Sequence, residues 1–235
     1  MSQELIARWD NYLNKLRDRF YEVLNSAEEP LNDVINNLQY DNIMIINILN
    51  GLKNQTVTQI GAKADEGWSK MRLEIQKVNA NKLIKEQGPK LDIFKNWLEE
   101  EFARYEIKLF ARAAKKILEN VQKHIDEKKL HCCTQCAGEL PIKVYSFMAV
   151  NLKCESCGAV NTYQPDDRIR ALEYYVIEPL ANEYAMEEKI LGQKNSTAQK
   201  EYWKKFFGYL MENVPDKKEY FQRTMDERLN NPFFR

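Results

Sequence analysis

From Lys90 to Lys129 the sequence places Leu91, Phe94, Leu98, Phe102, Tyr105, Leu109, Ala113, Ile117, Val121 and Ile125 at steps of three and four. That spacing aligns side chains along one face of an α-helix, and a helix of this length extends about 60 Å. The spacing averages slightly above 3.6 residues per turn, which favours a nearly straight bundle helix over a strict left-handed coiled coil. A second stripe, Ile107, Phe110, Ala114 and Leu118, predicts burial on two sides in the C-terminal half.

The rest of the chain is read around this element. Only 8 glycines and 7 prolines punctuate 235 residues, the pattern of a mainly helical protein. Leu5, Trp9, Leu13, Leu16, Phe20 and Leu24 form a first helical stripe, with Ser2 as N-cap. Pro30 suits the first turn of a second helix carrying Leu31, Val34, Ile35, Leu38, Ile45 and Leu49. The pattern lapses between Gly51 and Gly67, where "LKNQTVTQIGAKADE" reads as a loop. A third helix then carries Trp68, Met71, Ile75, Val78 and Leu83, and Gly88-Pro89 separates it from the long one.

After residue 164 helical spacing resumes at Pro165, with Asp166 and Asp167 in an acidic first turn. Pro179 is expected to kink or divide this helix. Tyr202, Phe206 and Leu210 mark another, Pro215 breaks it, and Phe221, Met225 and Leu229 mark the last. Short loops make neighbouring helices antiparallel.

Lys and Arg number 35, balanced by 35 Asp and Glu, so no global field draws the chain to nucleic acid or anionic membrane. Residues 1–52 carry 4 basic and 8 acidic side chains, and residues 53–129 carry 17 and 12; oppositely charged helices packing together is the expectation. The N-terminal residues indicate neither a signal nor a transit peptide. The most apolar stretch, "NIMIINILNGL", is too short and asparagine-rich to span a bilayer. A cytoplasmic location is expected, where clustered cysteines bind metal or do redox work rather than form disulfides.

All five cysteines fall in "HCCTQC" and "CESCG". Cys133 and Cys136 form one Cys-x-x-Cys pair, Cys154 and Cys157 a second, and 17 residues separate the pairs. Each pair can grip one ion from a tight turn, and two such turns close a tetrahedron of thiolates at Zn–S distances of about 2.3 Å. Gly158 stands where the second knuckle turns, whereas the first has Ala137-Gly138, an imperfect copy. Structural zinc is the expected cofactor; iron suits the same sulfurs, and a thiol redox pair is a further alternative. Cys132 has three open roles: a spare cysteine, a ligand in place of Cys133, or a reactive thiol. His131 reads as a neighbour of the site and His124 as a solvent-facing helical residue.

Between the pairs, Leu140, Ile142 and Val144 alternate to one side and Val150 and Leu152 return, a short hairpin. Residues 130–164 thereby resemble a zinc ribbon, a two-knuckle β-module found in many transcription, translation and scaffold proteins. The resemblance implies metal and fold and leaves function open. The expected fold is mainly α: a long antiparallel helical bundle over 1–129, an inserted zinc ribbon over 130–164, and a C-terminal helical region over 165–235.

No phosphate-cradling glycine loop, dinucleotide fingerprint, Glu-x-x-His motif or serine with a histidine base occurs, so no catalytic residue is assigned. Four thiolates leave no open coordination position for zinc catalysis. A non-enzymatic adaptor or assembly component is the leading expectation, with protein partners met by Tyr145, Phe147 and Met148 on the ribbon or Phe233 and Phe234 in the tail. A nucleic-acid or polymerase role is the alternative. A long helical element before a four-cysteine site is similar to the secondary-channel regulators of bacterial RNA polymerase, but their Asp-x-x-Asp-x-Ala tip is missing here. A redox or metal sensor using Cys132 is a third class.

Overall fold

A computed structural model describes residues 2–128, 132–140, 150–163 and 172–230. Long helices dominate it, with a single two-stranded sheet among the described residues. The chain divides into two compact units, one of residues 1–34 and 44–106, the other of 35–43 and 107–235.

In the first unit, α1 (Ser2–Asn36) buries the expected stripe from Leu5 through Leu24 and continues to Leu31. Pro30 lies inside this helix instead of opening a new one. Its ring removes one N–H and crowds the preceding turn, but it sits on the exposed face, while Leu24, Leu31 and Ile35 stay buried in one register. The continuing apolar stripe outweighs the lost hydrogen bond, and Ile43–Lys53 becomes a separate short helix, α2.

The segment read as a loop is also helical. α2 passes through a π-helical turn, Asn54–Thr58, into α3 (Gln59–Lys77). Leu52, Thr56, Ile60 and Ala64 are all buried, at four-residue steps that overrun the 3.6-residue period. An i→i+5 turn absorbs the surplus residue, and the Gln59 N–H accordingly donates to the Asn54 carbonyl. The buried Thr56 hydroxyl donates to the Leu52 carbonyl at 2.7 Å. Small and polar residues at the inward positions hid this helix from a reading by hydrophobic period.

A short α4 (Lys82–Gln87) leads through Gly88 into α5 (Pro89–Lys128), the long helix expected from the stripe. Within the first unit, α3 runs antiparallel to α1: the Trp9 and Trp68 rings meet at a tilt with centroids 5.5 Å apart, and the Tyr12 hydroxyl donates to the Lys63 carbonyl. The first half of α5 runs parallel to α1, since Arg17 lies over Phe94 and Trp97 and the Tyr105 hydroxyl donates to Glu28. Consecutive long helices thus alternate in direction. Ion pairs cross the helices at Arg8–Glu74, Lys90–Asp10 and Lys95–Asp65. Only the second follows the expected polarity of an acidic α1 against basic helices, and such half-exposed pairs contribute about 0–1 kcal/mol each.

In the second unit, Asn120 of α5 donates to the Leu38 and Gln39 carbonyls at 2.6 and 3.0 Å. Leu109, Ala113, Ile117 and Val121 of the first stripe are buried, and of the second stripe Ile107 and Ala114 are buried while Phe110 and Leu118 are half-buried, so the second side is covered only in part. Among the C-terminal helices, a π turn (Glu173–Ile177) precedes α6 (Glu178–Tyr184), so the division expected at Pro179 falls at the start of α6. α7 (Met186–Gly192) follows, then α8 (Ser196–Asn213), capped by the Asn195 side chain, which accepts from the Thr197 and Ala198 N–H groups. Pro215 opens a 3₁₀ turn before α9 (Lys218–Leu229). Tyr202, Phe206, Phe207 and Phe221 pack ring against ring in this core. No helix of the described residues is long and apolar enough to cross a membrane.

Candidate metal centre

Two copies of one local design build the centre. In the first knuckle the Cys133 N–H donates to the Gly138 carbonyl at 2.8 Å, and the Ala137 N–H to the Cys133 carbonyl at 2.9 Å. The second repeats this with Cys154 N–H to Ala159 and Gly158 N–H to Cys154, at 2.8 and 2.9 Å. Strands β1 (Val150–Lys153) and β2 (Val160–Tyr163) flank the second knuckle as an antiparallel pair, with Lys153 opposite Val160. A Cys132–Glu139 bridge flanks the first. Of the hairpin expected over 140–152, residues 141–149 lie outside the described residues and the return strand is β1, paired with β2; Tyr145, Phe147, Met148, His131, Phe233 and Phe234 also lie outside the described residues. His124 falls within α5.

Each knuckle turns through a left-handed residue, Gly158 at φ 73° and Ala137 at φ 61°. The glycine that follows Ala137 has a separate job. A Cβ on Gly138 would approach Ser156 Oγ to 3.2 Å and Cys136 Sγ to 3.3 Å, whereas one on Gly158 would meet only Lys153 Cε at 3.9 Å. Relief of crowding therefore belongs to Gly138, while Gly158 serves by its φ. Alanine pays a conformational penalty at positive φ of about 1 kcal/mol. Ala137→Gly should stabilise the metal-loaded module by about that amount, and Gly158→Ala should destabilise it similarly. Thermal melts of the two variants check both signs.

The Sγ atoms of Cys133, Cys136, Cys154 and Cys157 all lie within 4.8 Å of one another. Cys133–Cys157 and Cys136–Cys154 stand at 3.5 and 3.6 Å, close to the about 3.8 Å edge of a tetrahedron with 2.3 Å metal–sulfur bonds. Cys133 and Cys154 are 3% and 1% exposed and pack with Leu140, Leu152 and Ala159 into a small core, while Cys136 and Cys157 face solvent. Cys132 is exposed and stands outside the four-sulfur group.

The electrostatics fit a cation. The Gln135 amide, then the Asn161 amide and the Cys136 amide, pull the Cys133 thiol down to about 6. The Cys157 and Ser156 amides lower Cys154. The Ala159 amide pulls on Cys157, but the sulfurs of Cys136 and Cys133 push it up to about 12; Cys136 is also raised, despite the Gly138 amide, by Cys154 and by burial. Four sulfurs this close cannot all ionise unless a positive ion sits among them. The four cysteines would hold that ion, and their donor set supplies a closed coordination shell with no position for substrate.

Cysteine spacing does not reveal Asn161, which the structure buries beside Cys133. Its only sequence signal is a polar residue four positions past the second cysteine pair, where the first pair has Leu140. The chain matches no protein-family model, no curated protein and no solved structure.

Proposed function

We propose that this protein is a non-enzymatic adaptor or structural component of a larger cytoplasmic assembly, in which a zinc ribbon over 130–164 staples a surface onto a mainly helical protein. The observation that carries the reading is the convergence of four cysteine sulfurs within 4.8 Å, a set that suits structural zinc and leaves no open coordination position on the ion. The outer side of β2 gives the module something to present. Val160 is 66% exposed while its neighbour Asn161 is buried, so β2 has one side turned outward, the side on which a partner would meet the module. Tyr145, Phe147 and Met148 of the intervening segment, and Phe233 and Phe234, are the sequence-based contact candidates.

Isolation of the native protein without added zinc, with and without nuclease, tests the proposal. The expected result is about one zinc per chain and protein partners retained after nuclease treatment. Generic DNA or RNA should bind more weakly than the roughly 10⁻⁴–10⁻⁶ M of non-specific binders. Micromolar binding that falls steeply with salt would move the function to nucleic acid, and a metal content far below one equivalent with all thiols titratable would remove the site.

A further inference from the structure

Leu140 and Asn161 occupy equivalent places, each four residues beyond the second cysteine of its pair, and both are buried. Leu140 fills its place with apolar surface against Cys133 and Cys154. Asn161 fills the other with an amide, and a buried amide is costly unless its polar atoms are paired. Its Oδ1 accepts from the Thr134 N–H and the Thr134 hydroxyl, both at 2.9 Å. Its Nδ2 donates to the Ala159 carbonyl at 3.3 Å and to Cys133 Sγ at 3.4 Å.

The orientation of this amide follows from chemistry. A backbone N–H can only donate, so the oxygen must face Thr134, and the nitrogen must then face the sulfur. One side chain on β2 therefore grips the backbone of the first knuckle and one of its sulfurs. Packing alone would be met by a second leucine; the amide adds a donor at one sulfur of the four. A dication ringed by four thiolates carries net negative charge, and each N–H aimed at sulfur offsets part of it.

We propose that Asn161 is a positioning residue of the metal centre, which ties the first knuckle to β2 through Thr134 and, through its amide N–H, makes Cys133 the least reactive of the two buried thiolates. This rests on the metal reading above. It predicts chemically unequal sulfurs: Cys133 and Cys154 are alike in burial, but among the described residues only Cys133 receives a side-chain amide.

The test uses the full chain with Cys132→Ser, which removes the exposed fifth thiol, and cobalt(II) as a spectroscopic stand-in for zinc. Asn161→Asp keeps the volume and the acceptor toward Thr134 and removes the donor. Asn161→Leu copies the residue at the equivalent place and keeps the packing. Both should bind cobalt about 10- to 100-fold more weakly than the parent, shift the sulfur-to-cobalt charge-transfer band to lower energy, and raise the rate of Cys133 alkylation relative to Cys154. Thr134→Val, which removes only the hydroxyl bond, should leave the band and the alkylation ratio at parent values. Whichever Asn161 variant keeps the parent's helical circular dichroism decides the matter. Parent affinity, band and ratio in that variant would overturn the role of Asn161. A parent that binds no cobalt would instead overturn the metal reading itself.

Discussion

Replacing Cys154 with serine should abolish metal retention and unfold the four-cysteine module, while the helices of the first unit keep their circular dichroism. Cys154 is at once a candidate ligand and, with Cys133 and Leu140, one of three buried residues that form the core of the module's described residues. So small a core cannot hold the ordered backbone by itself, and metal binding supplies the difference; structural zinc contributes an apparent 10–16 kcal/mol at neutral pH in small zinc modules. The first unit is held by Trp9, Phe20, Ile75, Phe94 and Leu98, none of which depends on the ion. Chelation of the parent protein should reproduce the variant. A module that keeps its amide-exchange protection after loss of metal would contradict this account.

Acid should act on the same site with a definite sign. Before metal binds, Cys133, pulled down to about 6, is a thiolate at pH 7, whereas Cys157, pushed up to about 12, is still a thiol. Binding at neutral pH therefore expels the protons of Cys157 and of Cys136, which is also raised, and below about pH 6 the Cys133 proton as well. Protons compete with metal, so affinity should fall as pH falls and fall more steeply below 6. A pH-independent affinity between 8 and 5, measured by competition with a chromophoric chelator, would be the contrary result.

The second large effect is expected at Phe94. Its ring is fully buried, stacks on Trp97 at 5.8 Å and lies beneath the Arg17 guanidinium at 5.6 Å. Phe94→Ala removes the ring and leaves a cavity among side chains that relax only in part, a cost of about 3–5 kcal/mol. For a chain of this size that corresponds to a melting temperature lower by about 6–20 °C. Phe94→Leu retains most of the volume and should cost less than about 1.5 kcal/mol. A shift within 2 °C for Phe94→Ala would mean that α1 and the first half of α5 do not pack through this residue.

Helix faces and the four cysteines that cluster were legible in the sequence because both are local. A period of 3.6 shows which side of α5 is apolar whatever it packs against, and the two Cys-x-x-Cys pairs announce their knuckles through spacing alone. Three other features depended on packing. Pro30 breaks a helix in isolation, but burial of Leu24, Leu31 and Ile35 in one register carries α1 through it. The segment after Gly51 interrupts its apolar steps with the polar Thr56 between Leu52 and Ile60, yet a π turn brings Thr56 and Ala64 inward, where their small size suits close approach. Ala137 takes the left-handed conformation that the sequence assigns to a glycine, because Gly138 is needed next to Cys136.

Asn161 lies furthest from the sequence's reach. It sits 28 residues from the sulfur it contacts, and a lone asparagine in a strand has no periodicity to betray it. The sequence by itself determined which residues can ligate a metal and which faces of the helices must be covered, since those follow from residue type and local spacing. Only the tertiary structure decided where a helix outlasts its breakers and which side chain feeds a hydrogen bond to Cys133, since those depend on the free energy of groups brought together from distant parts of the chain.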